Sequence, residues 1–342
     1  MELQITWFFL WGLLWAVFFI TDGFDFGIGT LMPFLAKNDT EKRVMLNAMG
    51  PFWDGNEVWL IAAGGVTFAA FPILYATMFS SLYSALMLIL FALILRGVAL
   101  EFRGKVEHPM WRQIWDFCVF FGSAAPAVLF GVAFANFFRG IPIDAAGLYH
   151  GNLFSLLNGY GLLGGVLFLL LFLEHGALWL AIKSDGDLHE RAVLTAHGLW
   201  WILVAAALLF LIASKFETRL YDNYYANPIL FLLVVINLAA FIQVKWFLIK
   251  KAYFTAWFSS ALAILCCTFF GIIGLFPNML PSSVDSAASI TAFNSSSSPL
   301  TLKIMLTVVI IFLPIILAYQ VWAYTLFKGK VTKEDLASEE AY

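Results

Sequence analysis

Four carboxylates stand in stretches of this chain that are otherwise almost wholly apolar. Asp22 and Asp25 lie in Thr21-Asp22-Gly23-Phe24-Asp25-Phe26-Gly27, and Asp54 and Glu57 in Trp53-Asp54-Gly55-Asn56-Glu57-Val58-Trp59. Each pair is three residues apart, so on a helix both acids project from nearly one face. An ionisable side chain at the centre of a bilayer is unfavourable by roughly 2.5–3.5 kcal/mol on insertion scales, so each one requires a partner or a task. Grouped carboxylates suit the transfer of protons or cations, because their charge is added and removed one proton at a time. Arg96 and the amide of Asn56 offer a second reading, a buried network in which they simply satisfy the acids.

The elements that must position these residues are membrane helices. The 342-residue chain is 62% hydrophobic and 12% charged, which excludes a soluble globule. A span needs about 20 mostly apolar residues. Windows of that size give nine candidates, at about 6–32, 57–76, 79–98, 116–138, 153–182, 195–214, 228–248, 255–277 and 302–327. The start, Met1-Glu2-Leu3-Gln4, lacks the basic region and cleavage site of a signal peptide, so the first segment is read as a retained helix. Of the 19 Lys and Arg, all but Arg139, Lys215, Arg219 and Lys303 fall on one side of the nine spans. The positive-inside rule makes that side cytoplasmic, with the N-terminus outside and the C-terminus inside.

This orientation makes the two acidic motifs converge in the cytoplasmic half of the membrane. Asp22 and Asp25 lie far along a first helix running inward, and Asp54 and Glu57 open a second helix running outward. Acids crowded into one half of the membrane read as a half-channel from the cytoplasm. Arg96, Glu101, Asp116 and Glu174 also fall near cytoplasmic helix ends; Glu101 and Asp116 read as interfacial charges, and Glu174 as able to reach water.

Other chemistries find little support. Cys118, Cys266 and Cys267 lie inside spans, without CxxC or Cys/His spacing, and read as packing. His108, His150 and His189 fall in loops, and His175 and His197 near helix ends read as polar interfacial residues rather than haem ligands. No P-loop, Ser/His/Asp arrangement or metal-spaced motif appears, and no basic cluster points to nucleic acid. Trp7, Trp11 and Trp15 share a face of the first helix, as an interfacial anchor, as packing, or as a wall for a quinone or lipid tail. The segment from Pro277 to Pro299, with Ser295 to Ser298, reads as a solvated loop, and 330–342 as a polar tail of a single helical domain covering 1–342.

These stretches resemble subunit II of the cytochrome bd quinol oxidases. The likeness rests on the two acidic motifs through Leu60, on Asn38-Asp39-Thr40-Glu41 and Gly131-Val132-Ala133-Phe134, on Phe276-Pro277 with Pro281-Ser282-Ser283, and on Thr332-Lys333-Glu334-Asp335. The resemblance implies an all-α polytopic protein of nine helices, arranged as two four-helix bundles plus one peripheral helix. It implies a similarly folded partner, subunit I, that carries the quinol site, two b haems and one d haem, often with a small single-helix subunit. The complex would oxidise quinol and reduce dioxygen to water with cytoplasmic protons. This chain would bind no haem itself and would contribute to the proton route, with Asp54 foremost and Asp22, Asp25 and Glu57 nearby; Trp53, Asn56, Arg96 and Glu101 are the supporting candidates. A structural quinone or lipid is compatible with the family, but no motif marks one here. Two features depart from it: the segment 215–227 is shorter than in longer members, and Glu174-His175 matches no shared motif. A stand-alone proton- or cation-coupled transporter is the competing expectation, although no matched pair of broken spans appears.

Overall fold

The computed structural model describes residues 1–332, 334–337 and 342. The chain is helical almost throughout: α1 Glu2–Leu35, α2 Asp39–Met49, α3 Trp53–Ala70, α4 Pro72–Ser81, α5 Tyr83–Phe102, α6 Pro109–Arg139, α7 Leu153–Leu156, α8 Gly159–Lys183, α9 Gly186–Glu217, α10 Leu220–Ala226, α11 Phe231–Ile249, α12 Tyr253–Leu275 and α13 Pro299–Leu326. A two-stranded antiparallel ribbon, β1 Asn278–Leu280 with β2 Ile290–Thr291, precedes α13.

Eight of these helices are long and apolar enough to cross a membrane: α1, α5, α6, α8, α9, α11, α12 and α13. The ninth is α3, whose 18 residues reach about 27 Å at 1.5 Å per residue. It carries Asp54 and Glu57, which is why its hydropathy is lower. The sequence expects one span over 57–76, but the helix begins at Trp53 and stops at Ala70. Pro72 disfavours helical backbone at the residue before it, and Phe71 accordingly sits at φ −135° and ψ 64°. The apolar residues beyond form α4, a separate helix that Pro72 opens.

Two bundles result. In the first, α1 packs against α3 and α6, and α5 against α6; in the second, α8 packs against α9 and α12, and α11 against α12. Helices α1 and α6 lie along α8 and join the bundles. Helix α13 touches the body chiefly through α1 and α3 and is otherwise open, the peripheral helix of the expected architecture. Trp7, Trp11 and Trp15 are packing residues, all buried; Trp7 donates to the Leu302 carbonyl at 3.0 Å and Trp11 to the Thr67 hydroxyl at 2.9 Å.

The helix ends that carry most of the Lys and Arg gather at one end of the molecule. There Arg191 donates to the Leu35 carbonyl (3.0 Å) and Glu41 (2.6 Å), and Arg103 to Asp39 (2.7 Å) and Asp116 (2.5 Å). Helix α2 lies at this end, capped by Asn38, with Met45, Leu46, Ala48 and Met49 buried. Two segments lie at the opposite end, and one of them departs from expectation. Within 215–227, residues Leu220–Ala226 form α10, seated on α12. The Ser/Pro segment is a folded cap rather than a solvated loop: Met279, Leu280, Ile290 and Ser295 are buried. Its hydroxyls satisfy helix ends that would otherwise be orphaned. The Ser297 hydroxyl donates to the Ala69 carbonyl of α3 (2.6 Å) and the Ser297 amide to that of Ala70 (2.8 Å), and Ser298 caps α13. Of the predicted tail, Lys333 and 338–341 lie outside the described residues. Val331 is tied to the Lys183 carbonyl at 2.8 Å, and the Tyr342 amide to Asn47 at 3.1 Å.

Candidate functional site: a carboxylate cluster around Arg96

The site depends on how closely α1 approaches its neighbours. From Asp22 to Met32 every residue of α1 is buried. The strip opened by Gly23 and Gly27 receives α8: a Cβ at Gly27 would lie 2.9 Å from the Gly176 Cα, so only glycine lets the two backbones meet there. This contact turns Asp22 and Asp25 away from α8 and toward α3 and α5.

Arg96, buried on α5, organises the acids. Its Nη2 donates to both oxygens of Asp22, at 2.7 and 2.9 Å, and to Oε1 of Glu57 at 2.5 Å. Its guanidinium lies 4.3 Å over the Phe26 ring, a cation–π contact strengthened by burial. Asp25 accepts from the amide of Asn56 at 2.7 Å, and Asn56 in turn accepts from the Tyr324 hydroxyl at 2.8 Å. Asp22, Asp25, Asn56 and Arg96 are all buried, whereas the Glu57 side chain is 22% exposed. Among the described residues, three acids therefore stand around one guanidinium, so the cluster holds more acidic groups than cations.

The sequence candidates separate into three places. Asp22, Asp25, Glu57, Asn56 and Arg96 form the cluster. Asp54 lies outside it, exposed at the start of α3 one turn before Glu57, on the open face of that helix. Trp53 and Glu101 meet at the Lys/Arg-rich end, where Trp53 donates to the Tyr342 hydroxyl (3.3 Å), which donates to Glu101 (3.2 Å). Burial and the adjoining acid Glu101 raise the pKa of the Tyr342 phenol, so that hydroxyl remains a donor. Asp116 is paired with Lys42 (2.8 Å) and Arg103.

Sequence reasoning missed Tyr324 as the partner of Asn56, since one tyrosine in an apolar span does not differ from a belt residue. It also placed Glu174 and His175 near water, and the structure corrects both. Helix α8 is packed on several sides by α1, α6, α9 and α12, so its inner positions reach no interface. Glu174 is 1% exposed and neither of its oxygens has a partner among the described residues. His175 donates from Nε2 to the Ile20 carbonyl and accepts at Nδ1 from Ser260, both at 3.1 Å, and its ring stacks on Trp257. With both nitrogens engaged in a packed site, His175 does not fit a haem iron. His197 is held by the Lys245 ammonium at 3.1 Å. Among the described residues no group of three or more His, Cys, Asp or Glu has the arrangement to hold a metal ion.

Comparison with known proteins gives consistent likenesses. The sequence profile of the family "Cytochrome bd terminal oxidase subunit II" matches residues 3–327. The chain is 39% identical to the "Cytochrome bd ubiquinol oxidase subunit 2" of Bacillus subtilis, over 98% of each chain. It is 37% identical to the "Cytochrome bd-I ubiquinol oxidase subunit 2" of Escherichia coli K12, over 98% of this chain and 96% of that one. A chain of the solved bd oxidase from Geobacillus thermodenitrificans superposes with a TM-score of 0.76, covering 96% of this chain and 99% of that one, at 17% identity; it speaks for the fold.

Proposed function

This chain belongs to the cytochrome bd terminal oxidase subunit II family, and on that premise we propose that it carries protons from its Lys/Arg-rich end toward the haem-bearing partner, subunit I. It is a subunit of a quinol oxidase, an oxidoreductase, and a multi-pass protein of the bacterial inner membrane. In the orientation proposed from its basic residues, the Lys/Arg-rich end faces the cytoplasm.

The observation that carries the reading is a gradient of burial along one line of acids. Asp54 is exposed, Glu57 one turn further is partly exposed, and Asp22 beyond it is buried and shares the Arg96 guanidinium with Glu57. A proton taken up at Asp54 has Glu57 as its next acceptor on the same helix, and Arg96 couples Glu57 to Asp22. Asp25, held by Asn56 and Tyr324, is a branch of the same cluster. Because the guanidinium stays charged, the acids around it can exchange protons without leaving the cluster strongly negative. The haems are assigned to subunit I, where the oxygen chemistry takes place. A small single-helix subunit completes the assembly in this reading. Family membership sets aside the stand-alone transporter.

The test is Asp54→Asn in the intact complex, purified through a tag on this chain. We expect quinol-driven oxygen consumption to slow, by up to roughly a hundredfold, the lower end of what a positioned proton-transfer group contributes. The dithionite-reduced absorption of the b and d haems should be unchanged. Normal turnover with a full haem complement would remove Asp54 from the route.

A further inference from the structure

A groove of about 570 Å³ runs between α13 and the body of the molecule, lined from α1, α8, α12 and α13. Its walls are apolar and aromatic: Trp179, Ile182, Phe254, Trp257, Leu317 and Val321. Its mouth is basic, formed by Lys183 at the end of α8 and Lys328 just beyond α13. From Leu317 to Lys328 the groove follows eleven residues, about 16 Å at helical rise. One leaflet of a hydrocarbon core about 30 Å thick is about 15 Å deep. The groove therefore has the depth of one leaflet, open to the bilayer along its length and charged only at the water-facing end.

Lys183 supplies a second observation. It is 2% exposed, and its ammonium donates to the carbonyls of Phe327 and Gly329 and lies over the rings of Phe52 and Trp179. Carbonyls and rings orient a cation without neutralising it. Among the described residues neither Lys183 nor Lys328 is within ion-pair distance of a carboxylate. A buried ammonium calls for a counter-ion, and the groove is the opening beside Lys183 through which one can reach it.

We propose that this groove is a binding site for one anionic phospholipid of the leaflet at the Lys/Arg-rich end, with its phosphate at Lys183 and Lys328 and an acyl chain along Trp179, Trp257 and Leu317. Juxtamembrane lysines attract anionic headgroups, and aromatic side chains mark the headgroup level of a membrane. The lipid would complete the packing of α13 and so hold Tyr324 against Asn56. The proposal rests on the groove and its charges and is independent of the proton route.

The experiment uses the whole complex, stripped of loosely held lipid by detergent exchange and then supplied with phosphatidylglycerol or phosphatidylcholine. Retained lipids are counted by native mass spectrometry. Wild type should keep one more phosphatidylglycerol than Lys328→Glu, which repels the headgroup, and than Leu317→Trp, which fills the chain seat. The loss should appear as at least about tenfold weaker retention, the scale of a hydrogen bond to a charged group. Lys215→Gln, at the opposite end, should match wild type. Because Lys328 is exposed, its variant folds whether or not the groove is occupied. Equal phosphatidylglycerol counts in wild type and both groove variants, or equal retention of phosphatidylcholine, would overturn the proposal.

Discussion

One nitrogen of Arg96 meets three carboxylate oxygens from two helices, while its Nε and Nη1 have no partner among the described residues. The guanidinium is thus held by charge more than by a full set of hydrogen bonds, and its removal leaves Asp22 as an uncompensated buried acid. Breaking a buried pair from one side typically costs about 3–5 kcal/mol, whereas removing both charges is often neutral. Arg96→Met should therefore lower the denaturation temperature of the complex markedly. Asp22→Asn added to Arg96→Met should recover much of the loss, a coupling that independent sites do not show. Additive losses in the double variant would mean that Arg96 stabilises the fold through packing on Phe26 rather than through Asp22. The two acidic pairs were legible in the sequence because charge in an apolar span stands out, and so were Arg96 and Asn56 as their potential partners. Tyr324 was not, since nothing local distinguishes a hydroxyl that meets Asn56 from one that meets water.

At the scale of elements, the sequence carried most of the spans, because apolar length alone specifies a membrane helix. It did not carry the division between α3 and α4, where Pro72 breaks a continuous apolar run, nor α2, whose short amphipathic pattern falls below the length of a span. Helix α2 is held to the bundles by charge. Burial raises the Asp39 pKa, but hydrogen bonding and charge from Arg103, with Arg112 and Lys42, outweigh it and hold the group below its usual value. Glu41 is likewise lowered, its burial outweighed by the Lys37 amide and by Arg191. A depressed carboxylate contributes stability that is present above its unfolded pKa, about 3.9 for Asp and 4.3 for Glu. That contribution is lost as pH falls through the folded value. The doubly neutralised variant Asp39→Asn, Glu41→Gln should accordingly denature at a lower temperature than wild type at pH 7. The difference should shrink as pH falls below about 5 and close once pH is below the lowered folded values. A difference independent of pH across that range would show that α2 is anchored by Met45, Leu46 and Met49 instead.

Over the whole molecule, large apolar side chains are exposed on most of the long helices, and on one face they accompany a charge. Val58, Ile61 and Phe68 of α3 and Phe91, Ile94 and Val98 of α5 are exposed, and Asp54 lies on the same face of α3. Gly64 and Gly65 lie beside them, and a Cβ at either would meet nothing within 4 Å. Gly27 has a reason inside the chain, the approach of α8; Gly64 and Gly65 have none. Small residues on a membrane helix let another backbone come close, and helix association there depends on such packing because lipid is as apolar as the side chains. A partner subunit seated on that face would cover Asp54 and bring it to the junction between the subunits. Gly65→Leu tests this, because the chain itself has room for the added side chain. The variant should accumulate in the membrane at wild-type level while the haem that copurifies with it falls severalfold. Gly198→Leu, also in open space but on α9, should retain its haem. Undiminished haem with Gly65→Leu would mean that this face meets lipid, and the partner would then have to dock elsewhere, leaving Asp54 away from the junction.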